Sequence, residues 1–446
     1  MGQRFIGCDR DQAFLLPPDV RDWLAPGHLA HFVIDTVAGL DLAAFYGDYR
    51  ADGNGRPAHD PAMMVALIVY AYAVGERSSR GIERRCVEDV AFRVIAANRA
   101  PDHATVARFR VRHAERLAGL FGDVLVLCAR AGLVSVGTVA LDGTKLAANA
   151  SLGANRGYAA LRREAQRIFD EAARVDAAED ALYGDARGDE LPAELADPTT
   201  RRERIRRALE EIEAEHAAEQ AQFEAKREAR EDYKQRTGRN PRGAPPRKPG
   251  PGEETLFART RNVTDPDSRV MRDRGAPIQG YNAQALVAPS QVILAAEVTN
   301  EANDSHQLIP MLAAARGRLD ALGQRAAIGW VLADGGYWNS AAIAEARGTG
   351  AEVLIPTRDP HRTRPRRYRP QQGPEAERIE AILATEAGDR RYRRRKQIVE
   401  PVFAHIKHLR GISRLSRRGL NAARAEWQLI AATHNLLKLY RAPATG

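Results

Sequence analysis

The sequence has few cysteines and few aromatic residues. Its 446 residues include three cysteines, Cys8, Cys86 and Cys128, and phenylalanine, tryptophan and tyrosine together make up 6%. The cysteines lie far apart, do not have the spacing of zinc ligands and cannot all pair with one another. This excludes a disulfide-rich secreted scaffold and predicts a protein of the reducing cytoplasm.

Long apolar runs are also missing. No stretch is long enough to span a bilayer, and the N-terminus, MGQRFIGCDRDQ, lacks the apolar centre of a signal peptide. We therefore expect no membrane partner. With 44% hydrophobic residues the chain can fold as a globule, and its length suffices for two or three domains.

Basic residues are in excess, with a net charge of +9. This balance favours a polyanion as partner, although many proteins of this size are basic for other reasons. Basic residues concentrate at 361–369, 390–396 and 407–418. One such run could be a solvated surface, but three runs flanking one candidate site favour a phosphate-binding surface.

The first 132 residues have helical patterns. Asp60 and Pro61 are typical of an N-cap and a first helical residue, and the apolar run from there to Gly75 predicts a buried helix. Helical patterns also cover 78–96 and 100–132.

A short turn joins these last two patterns and precedes Arg108 and Arg110. This arrangement is typical of a helix-turn-helix, whose second helix reads the major groove of DNA. A helical bundle whose arginines face water has the same pattern, and both interpretations stay open.

Two predicted strands lead into an aspartate that is followed by glycine. Residues 134–139 alternate as in a strand, which we expect to end at Asp142, and the apolar run 326–334 predicts a buried strand that ends at Asp334. Around the second strand, a hairpin, helices and a further strand alternate, which indicates an α/β sheet flanked by helices.

The segment between these two strands has another character. Residues 152–237 are rich in alanine, glutamate and arginine, with apolar residues near heptad spacing over 201–236, and they predict a helical hairpin or coiled coil. It could be a dimer contact, a DNA-contacting arm or a solvated insertion without a specific role. Residues 238–254, rich in proline and glycine, predict a linker.

Three carboxylates fall where such a sheet could bring them together. Asp142 and Asp334 come at strand ends, where functional groups collect in α/β proteins, and Glu400 lies on a predicted helix over 396–412. Carboxylates without histidine or cysteine suit hard divalent ions. An aspartate and a glycine after a strand are also ordinary turn chemistry, so neither aspartate is sufficient alone.

Lys407 lies two helical turns beyond Glu400, on the same face, where it could bind a phosphate. Pro401 directly follows Glu400, so we expect the helix either to kink there or to begin there.

Several sequence blocks point to one family. They are GRPAHDPAMM, ERSSRGIERRC and PDHATVARFR near the N-terminus, then LDGTKLAANAS, TDPDSRVM, GYNAQALV and ADGGYWN, and finally VEPVFAHIKHLRGISRLSRRGLNAARAEWQLIAATHNLLKL. Together they resemble a DDE transposase of bacterial insertion sequences, of the cut-and-paste type with an InsH-like N-terminal domain.

The resemblance implies an α/β RNase H-like catalytic domain, with a mixed sheet flanked by helices, an all-helical N-terminal domain and a long helical insertion. We expect a helical DNA-binding domain at 1–132, the first strand and acidic block at 133–151, the insertion and linker at 152–254, and the rest of the catalytic domain at 255–446.

The family also implies a catalytic triad of Asp142, Asp334 and Glu400 that binds two Mg²⁺ ions, for which Mn²⁺ can substitute. Its partners would be double-stranded DNA, namely the terminal inverted repeats of its own element and the target DNA. Hydrolysis would free a 3′-hydroxyl, which would then attack the target. We expect a homodimer on DNA, in the cytoplasm with the nucleoid.

Related enzymes carry a signature of Tyr, two residues, Arg, three residues, Glu, six residues and Lys. Glu400 and Lys407 fit it, but four residues separate Arg395 from Glu400, and Lys396 holds the expected basic position. The residues predicted to contact DNA are Lys407, Arg393, Arg395, Lys396, Arg414, Arg417, Arg418, Arg108 and Arg110.

Two other functions fit the same sequence. One is a DNA-binding protein that uses the N-terminal helices and no longer cuts, and the other is a stand-alone nuclease of the same fold. A metal-dependent nicking assay separates the first from a transposase, and joining of cut ends to a target separates the second.

Overall fold

The computed structural model of the chain describes residues 19–49, 57–167, 198–241, 245–246, 260–273, 275–323, 327–357 and 372–442. Cys8, the basic run at 361–369 and most of the predicted linker lie outside these residues. None of the helices described here is long and apolar enough to cross a membrane.

The described residues from 19 to 130 form helices and connecting turns. They are a 3-10 turn at Val20–Trp23 and helices α1 (Leu29–Ala38), α2 (Ala43–Tyr46), α3 (Pro61–Ala73), α4 (Ser79–Glu88), α5 (Val90–Ile95), α6 (His103–Arg112) and α7 (Ala114–Arg130). Asp60 caps α3, as predicted, by accepting a hydrogen bond from the backbone N–H of Met63. Nearly all side chains of α3 are buried.

Two of the predicted helices are each divided in two. Asp89 has an extended backbone between α4 and α5, and its carboxylate caps α5. His113 separates α6 from α7, and its buried ring lies 4.4 Å from the ring of Phe109, measured between centroids. Apolar spacing does not encode such breaks, because they depend on a capping side chain and on tertiary packing.

A mixed sheet forms the centre of the molecule. The strands described are β1 (Thr138–Ala147), β2 (Asn155–Gly157), β3 (Thr260–Asn262), β4 (Arg269–Asp273), β5 (Ala276–Val287), β6 (Ile293–Thr299), β7 (Trp330–Leu332) and β8 (Glu352–Leu354). β2 and β3 form a separate antiparallel pair, and the other six strands form the central sheet. The order across the sheet is β5-β1-β7-β8, and both β4 and β6 pair with the outer side of β5. β5 is antiparallel to β1, β4 and β6, whereas β1, β7 and β8 run parallel.

The remaining described helices are α8 at 158–167, α9 (Pro198–Thr237), α10 (Leu308–Ala321), α11 (Ser340–Gly348), α12 (Pro374–Leu383), α13 (Glu386–Ala404) and α14 (Leu420–Arg441). A π-helical segment, His405–Leu409, continues α13. Pro401 lies inside α13, so the helix begins 15 residues before it rather than at it. The predicted start of this helix at residue 396 is therefore wrong.

One hydrophobic core joins the N-terminal helices to the sheet. Helix α14 packs against α7, α3 and β6. Its Trp427 is fully buried and donates a hydrogen bond to the backbone carbonyl of Gln284 in β5, at 2.9 Å. Helix α6, which carries Arg108 and Arg110, packs against α7, and α14 joins α7 to strand β6 of the sheet.

The insertion is anchored by a small core of its own. Ile205, Ala208 and Ile212 of α9 pack against Leu161 of α8. Arg207 of α9 also forms an ion pair of 2.7 Å with Asp267, beside β4. Residues 158–167 and 198–237 are helical, as predicted for the insertion, whereas Asn155–Gly157 near its start forms strand β2.

Candidate active site

Asp142 and Asp334 come at equivalent positions of two neighbouring chain segments. β1 and β7 are parallel, with Ala140 opposite Leu332; Asp142 lies two residues further along β1, and Asp334 lies two residues beyond Leu332, where β7 ends. Because paired strands are about 4.8 Å apart, this register brings the two carboxylates to one place. The prediction that β1 ends at Asp142 is wrong, since its second half pairs with β5 and the strand continues to Ala147.

The surroundings of these two acids disfavour their charged forms. Burial raises the pKa of Asp142 to about 6; Arg395 opposes this shift and the charge of Asp334 adds to it. Burial also raises the pKa of Asp334, against a hydrogen bond of 2.9 Å from the backbone N–H of Gly336. Two neighbouring acids that are partly shielded from water form a site that favours a cation.

A cation of the protein faces this pair. Nη1 of Arg395, on α13, donates to Oδ2 of Asp142 at 2.9 Å, and only 12% and 19% of the two side chains are exposed. Tyr392, one turn earlier on α13, lies beside Arg395. The prediction that Arg395 binds DNA phosphates does not fit this contact, because the largely shielded carboxylate of Asp142 already engages its guanidinium.

Glu400 does not share these contacts. It is exposed on α13 and forms no hydrogen bond or ion pair with another residue that the structure describes. It comes five residues after Arg395, so the two side chains leave the helix in different directions. Within the described ranges, no three His, Cys, Asp or Glu side chains are close enough to hold a metal ion together.

Lys407 lies beside the second half of β1. Its Nζ donates to the carbonyl of Lys145 at 3.1 Å and to the hydroxyl of Thr144 at 3.2 Å, and it forms an ion pair of 3.2 Å with Asp273. Thr144, which Lys407 contacts, is two residues after Asp142 on β1. The ammonium group of Lys407 is paired with the carboxylate of Asp273.

A second polar cluster, which the sequence analysis missed, adjoins the aspartates. Oδ1 of Asp304 accepts hydrogen bonds from Nδ2 of Asn282 at 2.6 Å, Nε2 of Gln284 at 2.8 Å and Nζ of Lys145 at 3.4 Å. The hydroxyl of Tyr337 donates to Oε1 of Gln284. Asn282 and Gln284, two polar residues at alternate positions of a largely buried strand, were the signal that could have revealed this cluster.

The glycines after the two aspartates are needed for close approach. A Cβ on Gly143 would lie 2.5 Å from Nε2 of Gln284 and 3.1 Å from Oδ1 of Asp304. A Cβ on Gly336 would lie 3.0 Å from Oδ1 of Asp334 and 3.6 Å from Oδ2 of Asp304. Side chains at these two positions would fill the space around the acids.

The donor set of this region fits a hard divalent ion. Asp142 and Asp334 supply carboxylate oxygens, which Mg²⁺ prefers. Oδ1 of Asn282 is a further oxygen, which is buried and has no hydrogen-bond partner in the part of the chain described. This unpaired acceptor lies beside Asp304, whose charge acts on Asp334, and a bound cation would satisfy it.

The other predicted DNA contacts lie on two surfaces. Arg393 and Lys396 are exposed on α13, and Arg393 pairs with Asp389 at 2.7 Å. Arg414 and Arg418 line a groove beside the end of β1.

Arg417 lies between Arg414 and Arg418 in one basic segment. A buried glutamate, Glu426, fixes the backbone of this segment. Glu426 of α14 accepts hydrogen bonds from the backbone N–H of Ser416 at 2.8 Å and that of Arg417 at 3.1 Å. Arg77 forms an ion pair of 3.2 Å with the same carboxylate. The conformation of the basic segment is therefore set from the core.

Arg108 and Arg110, the two arginines of α6 that were predicted to contact DNA, differ in burial. Arg108 is exposed. Arg110 is buried and donates to the hydroxyl of Tyr72 at 2.6 Å, the hydroxyl of Ser416 at 2.9 Å and the carbonyl of Arg77 at 2.8 Å. The prediction that Arg110 contacts DNA does not fit this burial, because its donors are directed into the protein.

Two family models match the chain. Residues 253–436 match the Transposase DDE domain, and residues 18–112 match the Transposase domain (DUF772). Both matched domains are transposase domains. The chain belongs to the DDE transposases of the kind found in bacterial insertion sequences. No curated protein and no solved structure matches the chain significantly.

The match to the DDE domain covers only part of the candidate site. Asp334 and Glu400 lie inside residues 253–436, whereas Asp142 precedes them, on the far side of the insertion. The assignment of Asp142 to the site therefore depends on the sheet register and on its contact with Arg395.

Proposed function

We propose that this transposase cleaves DNA at the ends of its own element and joins the freed ends to target DNA. The observation that carries this proposal is the register of β1 and β7, which sets Asp142 beside Asp334. The mixed sheet, with antiparallel strands on one side of β1 and parallel strands on the other, supports the RNase H-like fold.

Asp142 and Asp334 would hold Mg²⁺, for which Mn²⁺ can substitute, and Glu400 would complete the site when DNA is bound. When bound, such ions activate an attacking oxygen and stabilise a leaving one during phosphoryl transfer. Burial of both aspartates fixes their positions, and the flanking glycines leave space for the phosphate.

The reaction has two steps that share one site. Water first attacks the phosphorus at the element end, and the bond from phosphorus to the 3′ oxygen breaks to leave a 3′-hydroxyl. That hydroxyl then loses its proton and attacks a phosphodiester of the target, whose own 3′ oxygen leaves. Arg414 and Arg418 line a groove beside the end of β1, where they would hold the phosphates of the strand. Lys407 would join them only on leaving Asp273, which pairs with its ammonium group at 3.2 Å.

Arg395 would leave the Asp142 carboxylate when a metal ion binds there. Its guanidinium engages the Asp142 carboxylate, which a metal ion also requires. Arg395 and Glu400 lie on the same helix, so a change in α13 that withdraws the arginine can also bring the glutamate to the aspartates.

The test is a nicking assay with the full chain and a plasmid that carries the DNA flanking its own gene. Asp142→Asn and Asp334→Asn should abolish Mg²⁺-dependent nicking and keep DNA binding in a gel-shift assay. Asp320→Asn, an exposed carboxylate on α10, is the matched control and should nick normally. Normal nicking by Asp334→Asn would refute the assignment.

The same assay separates the two alternatives. A wild-type protein that binds DNA and never nicks would be a non-catalytic DNA-binding protein. A protein that nicks but does not join the cut ends to a second plasmid would be a nuclease. We also expect a homodimer on DNA, and light scattering of the complex would test this.

A further inference from the structure

Asp304 presents one engaged and one open oxygen. Three donors converge on its Oδ1: Asn282 and Gln284 from β5, and Lys145 from β1. Its Oδ2 accepts no hydrogen bond from the residues described here. The three donors fix the side chain, so the direction of Oδ2 is set by the sheet.

The open oxygen faces Asp334. Oδ2 of Asp304 and Oδ1 of Asp334 lie 3.6 and 3.0 Å from one point, the place that a Cβ on Gly336 would occupy. No ion can occupy that point itself, which is one covalent bond from Cα of Gly336, but both oxygens border the open space in front of the glycine. Rotation of the two side chains into this space would let them share an ion at the about 2.1 Å that Mg²⁺ requires. The two carboxylates thus border a single space that glycine keeps free.

A buried amide oxygen points to the same cluster. Nδ2 of Asn282 donates to Asp304 at 2.6 Å and to the carbonyl of Glu301 at 3.1 Å. These two acceptors fix which end of the amide is nitrogen. Oδ1 is therefore the atom left without a partner, in a side chain with 0% exposure, and it lies 3.0 Å from the Cβ position of Gly143.

A purely structural role explains this arrangement poorly. A network that served only to join β1, β5 and the loop before α10 would satisfy its buried atoms. Here Oδ1 of Asn282 is buried without a partner, 3.0 Å from the Cβ position of Gly143, and Oδ2 of the partly exposed Asp304 is free to bind a further group. Asp142, Asp334 and Asp304 face two neighbouring cations, Lys145 and Arg395, so the charge balance also admits a further cation.

We propose that Asp304 is an additional oxygen ligand of the site, which binds a divalent cation together with Asp334, and that Asn282 supplies a neutral oxygen to the same ion. The assignment rests on the proposed function for the identity of the ion, and it adds a residue outside the predicted triad. Asn282, Gln284 and Lys145 act as positioning residues for Asp304.

The experiment is a Mn²⁺ titration of the full chain without DNA, followed by the electron paramagnetic resonance signal of free Mn²⁺. Asp304→Asn should weaken Mn²⁺ binding at least tenfold and leave the metal-free thermal unfolding temperature within a few degrees. Asp320→Asn should bind Mn²⁺ as the wild type does. Affinity within twofold of the wild type in Asp304→Asn, or no Mn²⁺ binding by the wild type, would overturn the proposal.

A second variant, Asp304→Cys, tests the same proposal if Asp304→Asn folds poorly. Asp304→Cys replaces a hard ligand by a soft one, so its preference for Cd²⁺ over Mn²⁺ should rise at least tenfold relative to the wild type. An unchanged preference would contradict direct ligation. A structural role alone would not move this ratio.

The nicking assay distinguishes failure of this assignment from failure of the proposed function. Metal-dependent nicking by the wild type, with unchanged Mn²⁺ affinity in Asp304→Asn, would remove Asp304 from the site and keep the function. Loss of Mn²⁺ affinity in Asp304→Asn, in a protein that never nicks, would keep the ligand and refute the function.

Discussion

Nη1 of Arg395 lies 2.9 Å from Oδ2 of Asp142, and this contact occupies the carboxylate that a catalytic metal would need. The arginine compensates two neighbouring acids whose charged forms burial disfavours. Arg395 therefore offsets part of the cost of placing two acids where they are largely shielded from water.

Removing that cation should destabilise the metal-free protein. We expect Arg395→Gln to lower the free energy of unfolding by about 2–4 kcal/mol, since it leaves a mostly buried carboxylate unpaired. Mn²⁺ should then stabilise the variant more than it stabilises the wild type. Urea unfolding with and without Mn²⁺ measures both effects.

Arg393→Gln is the matched control for that measurement. Arg393 is also on α13 and also pairs with an aspartate, but 77% of its side chain is exposed. Its loss should change the free energy of unfolding by no more than about 0.5 kcal/mol. Equal effects of the two substitutions would show that burial of the Asp142 contact has no special role.

The raised pKa of Asp142 gives the stability a pH dependence of known sign. The folded protein keeps a proton on this carboxyl up to about pH 6, whereas the unfolded chain releases it near the ordinary value of 3.8. The contribution of protonated Asp142 to the free energy of unfolding is fully present below about pH 4 and is lost as the pH rises to about 6. The shift corresponds to about 3 kcal/mol at most.

Asp142→Asn isolates that contribution. Without metal, the wild type should lose stability relative to the variant between about pH 4.5 and 6, and the difference should be constant above about pH 7. Urea unfolding across this range measures it. A difference that does not change with pH would mean that Asp142 titrates normally in the folded protein.

The pairing of Asp142 with Asp334 was predictable because both residues follow apolar strand patterns in a chain that alternates strands and helices. The contact of Arg395 was not, because the position of a side chain around α13 depends on where the helix begins and on how Pro401 is accommodated. The signature spacing predicted that Glu400 lies at the site. In the structure, the packing of α13 on β1 brings Arg395 to Asp142 instead.

The Asp304 cluster was hidden for a different reason. Its members come from β1, β5 and the loop before α10, and Lys145 and Asp304 are 159 residues apart in sequence. Only strand register brings such residues together, and apolar periodicity does not specify which strands are neighbours. Buried polar residues in an apolar strand indicate that a network exists, but not which partner completes it.

Gly143 should tolerate no side chain. In Gly143→Ala the new Cβ would meet Nε2 of Gln284 at 2.5 Å, so the amide must move and release Asp304. We expect loss of nicking activity by more than tenfold, together with a destabilisation of about 1–3 kcal/mol from overpacking. Nicking and urea unfolding of the purified variant check the two effects.

Gly122→Ala provides the contrast. Gly122 lies within α7, and a Cβ there would meet no atom within 4 Å. Alanine in a helix should stabilise the protein by about 0.5–1 kcal/mol and leave nicking unchanged. Normal activity in both glycine variants would show that the space around Asp304 is not needed.

Arg108 and Arg110 should separate DNA binding from stability. Arg108 is exposed, so Arg108→Gln should weaken DNA binding if α6 contacts phosphates, and it should lower the salt dependence of the affinity by about one counterion. Its free energy of unfolding should stay within about 0.5 kcal/mol of the wild type.

Arg110→Gln should do the reverse. This substitution removes donors from Tyr72 and Ser416, and we expect a loss of about 1–3 kcal/mol in the free energy of unfolding. Because Ser416 belongs to the basic segment that Glu426 holds, any loss of DNA affinity should follow the loss of stability and leave the salt dependence unchanged. A reduced salt dependence in Arg110→Gln would mean that this arginine leaves its buried site to bind DNA. Gel-shift titrations at several salt concentrations, made beside urea unfolding, decide between the two.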